Sequence, residues 1–197
     1  MRVNSDRMFI LASSSPRRQE LMRNAGIPFA VQPADINETP LAGESPKDCA
    51  ERLAREKALT VFRSRPQDFV LGADTIVVVD DIILGKPRDP EDAARMLRLL
   101  RGRTHTVITG VCLVSPAARD AERLSSASQT TLVSMGSLSE DEIREYIATG
   151  EPMDKAGAYA IQGIASRWIS RIEGDYGNVV GLPVALVYGM LQEQGVL

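Results

Sequence analysis

The chain has a single histidine, His105, two cysteines, Cys49 and Cys112, and only 5% aromatic residues. One histidine excludes HExxH metalloproteases and multi-histidine zinc centres. A Ser-His-Asp triad would have to use His105 as its base. The cysteines form no CxxC pair and no zinc spacing, so buried free thiols in a cytosolic chain are the expectation. There is no GxSxG elbow, no GxGxxG fingerprint and no Walker A loop. A basic excess is also missing. The formal net charge of −3 and the few aromatics argue against a nucleic-acid-binding module. The apolar run Met8 to Ala12 is too short for a signal core or a membrane span, so no membrane association is expected and the location expected is cytoplasmic. If the chain is an enzyme, carboxylates, lysines and arginines must do its work.

What is present is an ordinary globular composition. The chain has 197 residues, 44% of them hydrophobic and 25% charged, enough to bury a sizeable core. Apolar runs alternate with amphipathic segments, which predicts an α/β chain. Met8 to Ala12 reads as a buried strand. Ser15 suits an N-cap and Pro16 the first position of a helix to about Asn24, with Gly26 past its end. A second helix starts at Ser45-Pro46. Phe69 to Gly72 reads as a strand ending in Ala73-Asp74-Thr75, and Ile76 to Leu84 as a hairpin turning at Asp80-Asp81. A helix from Asp89-Pro90 to about Leu100 is closed by Gly102. Thr104 to Val114 and Gln129 to Ser134 read as strands, with the interior of Ser115 to Ser126 unassigned. Ser139 with Glu142 forms a capping box for a helix ended by Gly150. Trp168 to Ile172 and Val179 to Gly181 look extended, and Pro183 opens a final helix to about Gln192.

Several segments can carry chemistry. After the first strand, Ser13 to Glu20 is a serine-rich turn leading into a helix whose first turn holds Arg17 and Arg18. Arginines oppose the helix dipole there, whereas a bound polyphosphate would welcome both them and the unpaired N–H groups. A solvated basic turn is the plainer reading. Asp74, following a buried strand, is placed where ligands gather at carboxyl ends of α/β sheets; a turn aspartate capping its own backbone is the alternative. Lys86, in Gly85-Lys86-Pro87, reads locally as a surface lysine on a turn. Lys57 reads as part of a solvated helix face. Glu38 is one of several acids in a loop. Asp154 to Gly163 is rich in small residues that let backbone approach a ligand, and Gln162 offers both a donor and an acceptor. His105 reads as a structural histidine, and the apolar run Asn178 to Pro183 as packing.

Taken together, Leu11-Ala12-Ser13-Ser14-Ser15-Pro16-Arg17-Arg18-Gln19-Glu20-Leu21, Gly72-Ala73-Asp74-Thr75, Gly85-Lys86-Pro87, Gly102-Arg103-Thr104-His105, Asp154-Lys155-Ala156-Gly157-Ala158-Tyr159 and Gly181-Leu182-Pro183 closely resemble, in order and spacing, the Maf family, also called septum-formation inhibitor proteins. The resemblance runs from about Ile10 to Leu191. It implies an α/β fold with a mixed twisted sheet flanked by helices, a single domain over residues 8–193 that is elongated and two-lobed with a central cleft, similar to the inosine triphosphate pyrophosphatases. It implies hydrolysis of a nucleoside triphosphate between its α- and β-phosphates, a divalent metal (magnesium or manganese) as cofactor, and a homodimer. Asp74 matches the family's proton acceptor, with the alternative that it is a metal ligand positioning the water. Ser13, Arg17 and Arg18 match a phosphate-binding turn, and Glu38, Lys57 and Lys86 match charged residues lining the cleft. Glu38 and Asp74 are the expected metal ligands.

Three positions track the family's branches: Arg17, Thr75 and Gln162 here, against an aromatic, a glutamine and a glutamate in the branch that acts on 7-methyl-GTP. A cationic methylated guanine suits an aromatic ring and a carboxylate. Uracil and thymine are neutral, with one imide N–H between two carbonyls, and a glutamine amide complements that edge. The expected substrates are therefore dTTP and UTP, with Thr75 and Gln162 in the substrate site. Two alternatives stand beside this one: a pyrophosphatase for 7-methyl-GTP or a modified nucleotide, and a non-catalytic nucleotide-binding regulator of cell division. Met135-Gly136 and Ala160 depart from the residues usual in relatives.

Overall fold

The computed structural model describes residues 7–117 and 122–197. The helix starts follow local chemistry. Pro16, Pro46 and Pro90 each open a helix: α1 (Pro16–Asn24), α2 (Pro46–Phe62) and α3 (Pro90–Leu100). Their fixed φ suits a first turn whose N–H groups lack partners in any case. Ser45 and Asp89 cap α2 and α3 by accepting from the backbone N–H three residues on. Ser139 and Glu142 form the expected capping box on α4 (Glu140–Ala148). Gly26, Gly102 and Gly150 take the left-handed conformations that end these segments. Ser15 occupies the N-cap position of α1, but its side chain makes no capping bond. Its own N–H donates instead to Ser13 Oγ at 3.3 Å.

The strands are β1 (Phe9–Leu11), β2 (Ala30–Val31), β3 (Phe69–Val79), β4 (Ile82–Leu84), β5 (Thr104–Pro116), β6 (Glu122–Met135) and β7 (Ile169–Glu173). They form one seven-stranded sheet in the order β2-β1-β3-β5-β6-β7, with β4 paired to β3. The sheet is mixed: β1 runs parallel to β2 and β3, while β3–β4 and β6–β7 are antiparallel. Asp80 and Asp81 turn the β3–β4 hairpin with positive φ at both residues.

Three sequence expectations are corrected. β3 does not end before Asp74 but runs unbroken to Val79. Its apolar residues on both sides of Asp74 keep it in the sheet. β6 begins at Glu122, earlier than its apolar stretch suggests; residues 118–121 lie outside the described residues. Val179 to Gly181 is not extended: α5 (Tyr176–Val180) is a short helix. Asp175 starts it, its carboxylate accepting from Asn178 N–H at 3.2 Å, and a local cap overrides the β-branched signal of the valines. Pro183 precedes α6 (Val184–Glu193) as expected.

The described residues form two compact units. One lies within Met1–Asp74, Thr109–Gln129 and Gly181–Leu197, the other within Thr75–Ile108 and Thr130–Val180. In the first unit the sheet has helices on both faces. Phe9, Leu11, Phe69, Leu71, Val111 and Leu113 pack with Met22 of α1 and Val187, Met190 and Leu191 of α6. The alternate residues Ile10, Val70, Cys112 and Val114 pack with Ala54, Ala58, Val61 and Phe62 of α2. This alternation is the period-two signature of a strand covered on both faces. Cys49 and Cys112 are buried free thiols.

The approach of α2 is unusually close. A Cβ built on Gly72 would lie 2.0 Å from Ala54 O, and one on Gly110 would lie 2.3 Å from Ala50 O. Both neighbours are helix backbone, which cannot swing aside. Glycine at these two strand positions, with Ala50, Ala54 and Ala58 opposite, lets helix and sheet touch almost backbone to backbone.

The second unit has a separate core. Val77, Val79, Val107, Val133 and Met135 of the strands pack with Met96, Leu97 and Leu100 of α3 and Ile143 and Tyr146 of α4. His105 is 2% exposed in the same unit, its Nε2 2.7 Å from Tyr159 Oη. Its Nδ1 has no hydrogen-bond partner among the described residues. A satisfied structural histidine is the expectation from sequence; the imidazole is buried, but only one of its two ring nitrogens is satisfied. No described helix is long and apolar enough to cross a membrane.

Two outcomes follow. Gly72→Ala should cost about 3 kcal/mol or more, because a methyl group must displace a helix backbone; urea unfolding measures it, and an unchanged midpoint would contradict the close approach. Burial lowers the His105 pKa from 6.5 to about 4. The unfolded chain therefore binds a proton that the folded chain refuses across that window. Stability should be complete above pH 6.5 and fall toward pH 4, by up to about 3 kcal/mol. His105→Gln should flatten this part of the stability–pH curve, as read by denaturant melts at several pH values.

Candidate active site

The first unit gathers most of the expected site residues. β1 stops at Leu11, paired with Leu71 of β3, and Ala12 N–H adds one more bond to Leu71 O at 2.8 Å. The chain then leaves the sheet through Ser13 to Ser15 into α1. Asp74, three residues beyond Leu71 on β3, therefore lies just past the carboxyl end of this parallel ladder, although it is inside a continuous strand. It shares a strand face with Val70 and Gly72, the face that α2 covers.

That face explains Lys57. Local pattern makes it a solvated lysine, yet it is 7% exposed. Its Nζ lies 2.6 Å from Asp74 Oδ1 and 2.6 Å from Glu38 Oε1. Asp74 is 6% exposed, whereas the Glu38 side chain retains 43% of its exposure. One ammonium thus bridges a buried and an open carboxylate. A buried charge without such a partner would cost several kcal/mol.

Arg18 is the second buried cation. Its Nε donates to Gly181 O at 2.8 Å and its Nη1 to Ser13 Oγ at 3.1 Å. These bonds tie the turn after β1 to the chain entering α6. Burial lowers the Arg18 pKa; the Asp74 carboxylate opposes that shift, Arg17 adds to it, and Glu38 opposes it. Arg18 therefore senses both carboxylates, and a guanidinium remains charged under such a shift. The first turn of α1 contains no acid. Arg17 and Arg18 thus lie in, and Ser13 just before, a helix first turn that keeps its attraction for anions.

The loop that carries Glu38 has an anchor that the sequence did not reveal. Arg52 of α2 donates from Nε to Glu44 Oε1 at 2.6 Å and from Nη2 to Glu44 Oε2 at 2.9 Å, and Nη2 also reaches Thr39 O at 3.2 Å. This bidentate pair holds the Glu44 carboxyl at about 2, mainly through the Arg52 hydrogen bonds. An arginine on a helix and a glutamate in a preceding loop form no periodic pattern, so no sequence signal marks the pair.

The second unit carries Thr75, Lys86 and Gln162. Thr75 follows Asp74 on β3. Lys86 is exposed beyond β4, and the carbonyl of the neighbouring Gly85 accepts from Gly157 N–H at 3.1 Å. Gln162 is exposed in a turn closed by Gly163 N–H donating to Ala160 O at 3.1 Å. Ala156–Ala158 forms a short 3-10 turn in which both Gly157 and Ala158 have positive φ. This bend brings Gly157 against Val77, where a Cβ would meet valine methyls at 3.0 Å. The small residues of this segment therefore serve close packing.

Among the described residues, no three or more His, Cys, Asp or Glu side chains are grouped to hold a metal by themselves. Glu38 and Asp74 are nonetheless two carboxylates already converging on one cation. Magnesium commonly takes only one or two carboxylates and completes its shell with substrate phosphates and water. The pair fits that donor set.

The family described as Maf-like protein matches residues 8–194. A curated relative from Koribacter versatilis, named dTTP/UTP pyrophosphatase, is 55% identical over 100% of both chains. Proteins of the same name from Symbiobacterium thermophilum and Syntrophomonas wolfei are 52% and 50% identical, over 94% of this chain and 93% and 96% of their own lengths. A solved nucleoside-triphosphatase / dITP/XTP pyrophosphatase from Mycobacterium abscessus aligns with a TM-score of 0.39 at 15% identity, over 66% of this chain and 74% of that one; that overlap is too slight to bear on the site. With a match over nearly its whole length and relatives at half identity or better, the chain belongs to the Maf-like protein family.

Proposed function

We propose that the chain hydrolyses dTTP and UTP to the nucleoside monophosphate and pyrophosphate. The observation that carries this reading is the Lys57 ammonium, 2.6 Å from both Asp74 and Glu38. A site that only bound a polyphosphate would gain nothing from two carboxylates facing it. A hydrolytic site needs them, one to take a proton from water and both to accept a cation that accompanies the substrate.

In this reading, Ser13, Arg17 and Arg18 bind phosphate oxygens at the N-terminus of α1, where the unpaired N–H groups of the first turn also attract anions. Arg18 is held rigidly by Gly181 and Ser13, so little ordering is left to pay when an anion arrives. Lys57 moves its charge from the carboxylates toward the phosphates. A water attacks the α-phosphorus, the α–β bridging bond breaks, and pyrophosphate leaves with the bridging oxygen. Asp74 accepts the proton of that water. Cations placed around the leaving group stabilise the charge that builds on it.

Magnesium or manganese would be held by Glu38 and Asp74 together with phosphate oxygens, and would supply charge neutralisation and Lewis acidity. Three local cations, Arg17, Arg18 and Lys57, face two carboxylates, too small a surplus for a triphosphate alone. In the second unit, Thr75 and Lys86 are assigned to substrate binding, and Gln162 to the imide edge of uracil or thymine. The same reading carries residues 8–193 as one catalytic domain, a homodimer and a cytoplasmic location.

Pyrophosphate release from a nucleotide panel with Mg²⁺ or Mn²⁺ tests the reading. Native protein should act on dTTP and UTP far better than on purine nucleotides. Asp74→Asn should lose at least about a hundredfold in kcat, with folding intact by thermal melt. Lys57→Gln should lose activity as well. Turnover of 7-methyl-GTP in preference would overturn the substrate assignment, and binding without any turnover would overturn the enzyme.

A further inference from the structure

Gln162 has been assigned to base reading, yet it is exposed and lies in a turn with no regular secondary structure. A side chain that selects one base by hydrogen bonding must have a fixed backbone, because a misplacement of about 1 Å is enough to lose discrimination. The structure contains a device that would fix it.

Glu151, in the 3-10 turn Glu151–Asp154 after α4, projects its carboxylate against the Gln162 loop. Oε1 accepts from Ile164 N–H at 3.1 Å and Oε2 from the same N–H at 3.2 Å. Oε1 also accepts from Tyr146 Oη at 2.8 Å. The Tyr146 oxygen in turn accepts from Ala160 N–H at 3.2 Å. The two N–H groups that flank the turn, at Ala160 and Ile164, are thus held by one carboxylate, directly at one end and through a phenol at the other.

Two further features bear on this clamp. A Cβ built on Gly163 would lie 2.2 Å from Glu151 Oε1, so the carboxylate rests directly on the loop backbone, and a side chain at this position would push it aside. Tyr146 is 1% exposed and packs edge-on against Trp168, with ring centroids 5.4 Å apart. The phenol is therefore anchored in the core of its unit, and the loop takes its position from that core. None of these residues carries a role in the hydrolysis described above.

We propose that Glu151 and Tyr146 are positioning residues for pyrimidine selectivity, acting through the loop that holds Gln162. The inference rests on the base-reading role given to Gln162. Neither residue touches the base. Their effect is to place the Gln162 amide so that it donates to a carbonyl of uracil or thymine and accepts from the imide N–H.

The test is the ratio of kcat/KM for UTP over CTP, with Mg²⁺, in the full chain and in Tyr146→Phe, Glu151→Ala, Glu151→Gln, Gln162→Ala and the double variant Tyr146→Phe/Gln162→Ala. Gln162→Ala should lower the ratio. Tyr146→Phe and Glu151→Ala should each lower it about tenfold, the scale of one lost hydrogen bond to a charged or polarised partner, mostly through the KM for UTP. The double variant should be no worse than Gln162→Ala alone, because both changes remove the same interaction. Glu151→Gln should stay within about twofold of native, since an amide can still accept from Ile164 N–H and donate to the phenol oxygen. That rescue separates positioning from a direct use of the charge. Should Glu151→Ala fail to fold, Tyr146→Phe and Glu151→Gln, which preserve shape, carry the comparison.

An unchanged ratio in a folded Tyr146→Phe variant, alongside a lowered ratio in Gln162→Ala, overturns the positioning role and leaves the base-reading role intact. An unchanged ratio in Gln162→Ala removes the base-reading role, and the positioning role with it. Additive losses in the double variant also overturn the proposal, because the clamp would then act through something other than Gln162.

Discussion

The contact between the backbone of α2 and the strands beneath it, at Gly72 and Gly110, governs the rest of the first unit. Side chains at these two positions would push the helix outward by the width of a methyl group or more. Lys57 lies one helical turn from Ala54 on α2, and Asp74 lies two residues from Gly72 on β3. The close approach therefore sets the distance between the ammonium and the carboxylate. A short ion pair in a buried place is unforgiving. Its desolvation cost is large and is repaid only in good geometry, so helix–sheet packing and site chemistry constrain each other.

Buried charge also explains why the turn after β1 has so little freedom. Arg18 cannot be left without acceptors, and it finds them in Gly181 O and Ser13 Oγ. The first of these is far along the chain. The bond thus joins the first turn of α1 to the chain entering α6, while Ser13 Oγ serves both Arg18 and Ser15 N–H. One side chain accounts for the closed arrangement of the anion-ready turn, and it does so by satisfying a polar group that burial would otherwise penalise.

The second unit solves a different problem. Its loops must hold irregular backbone in place without regular ladders. Consecutive left-handed residues at Gly157 and Ala158, the bond from Gly157 to Gly85, and the carboxylate–phenol pair at Glu151 and Tyr146 each fix a segment that would otherwise be mobile. Such contacts come from single polar groups aimed at single backbone atoms, so each of them is sensitive to one substitution.

Local physics was legible in the chain itself. Ser45, Asp89 and the Ser139–Glu142 box mark helix starts because capping involves residues three apart, and Asp80-Asp81 marks a hairpin because two residues suffice to make the turn. Hydrophobic periodicity indicated an α/β chain, and the ordered blocks from Leu11 to Pro183 indicated its family and, with it, a mixed sheet. Misreadings came where a distant or unpatterned contact decided the outcome. Asp74 sits within β3 because the strand continues past the point where its partner β1 ends, and Tyr176–Val180 is helical because Asp175 caps it. The burial of Lys57 and the anchors Arg52–Glu44 and Tyr146–Glu151 have no spacing that a sequence pattern can register. Only the tertiary structure places these groups, because hydrogen bonds and ion pairs between remote segments depend on distance in space rather than distance along the chain.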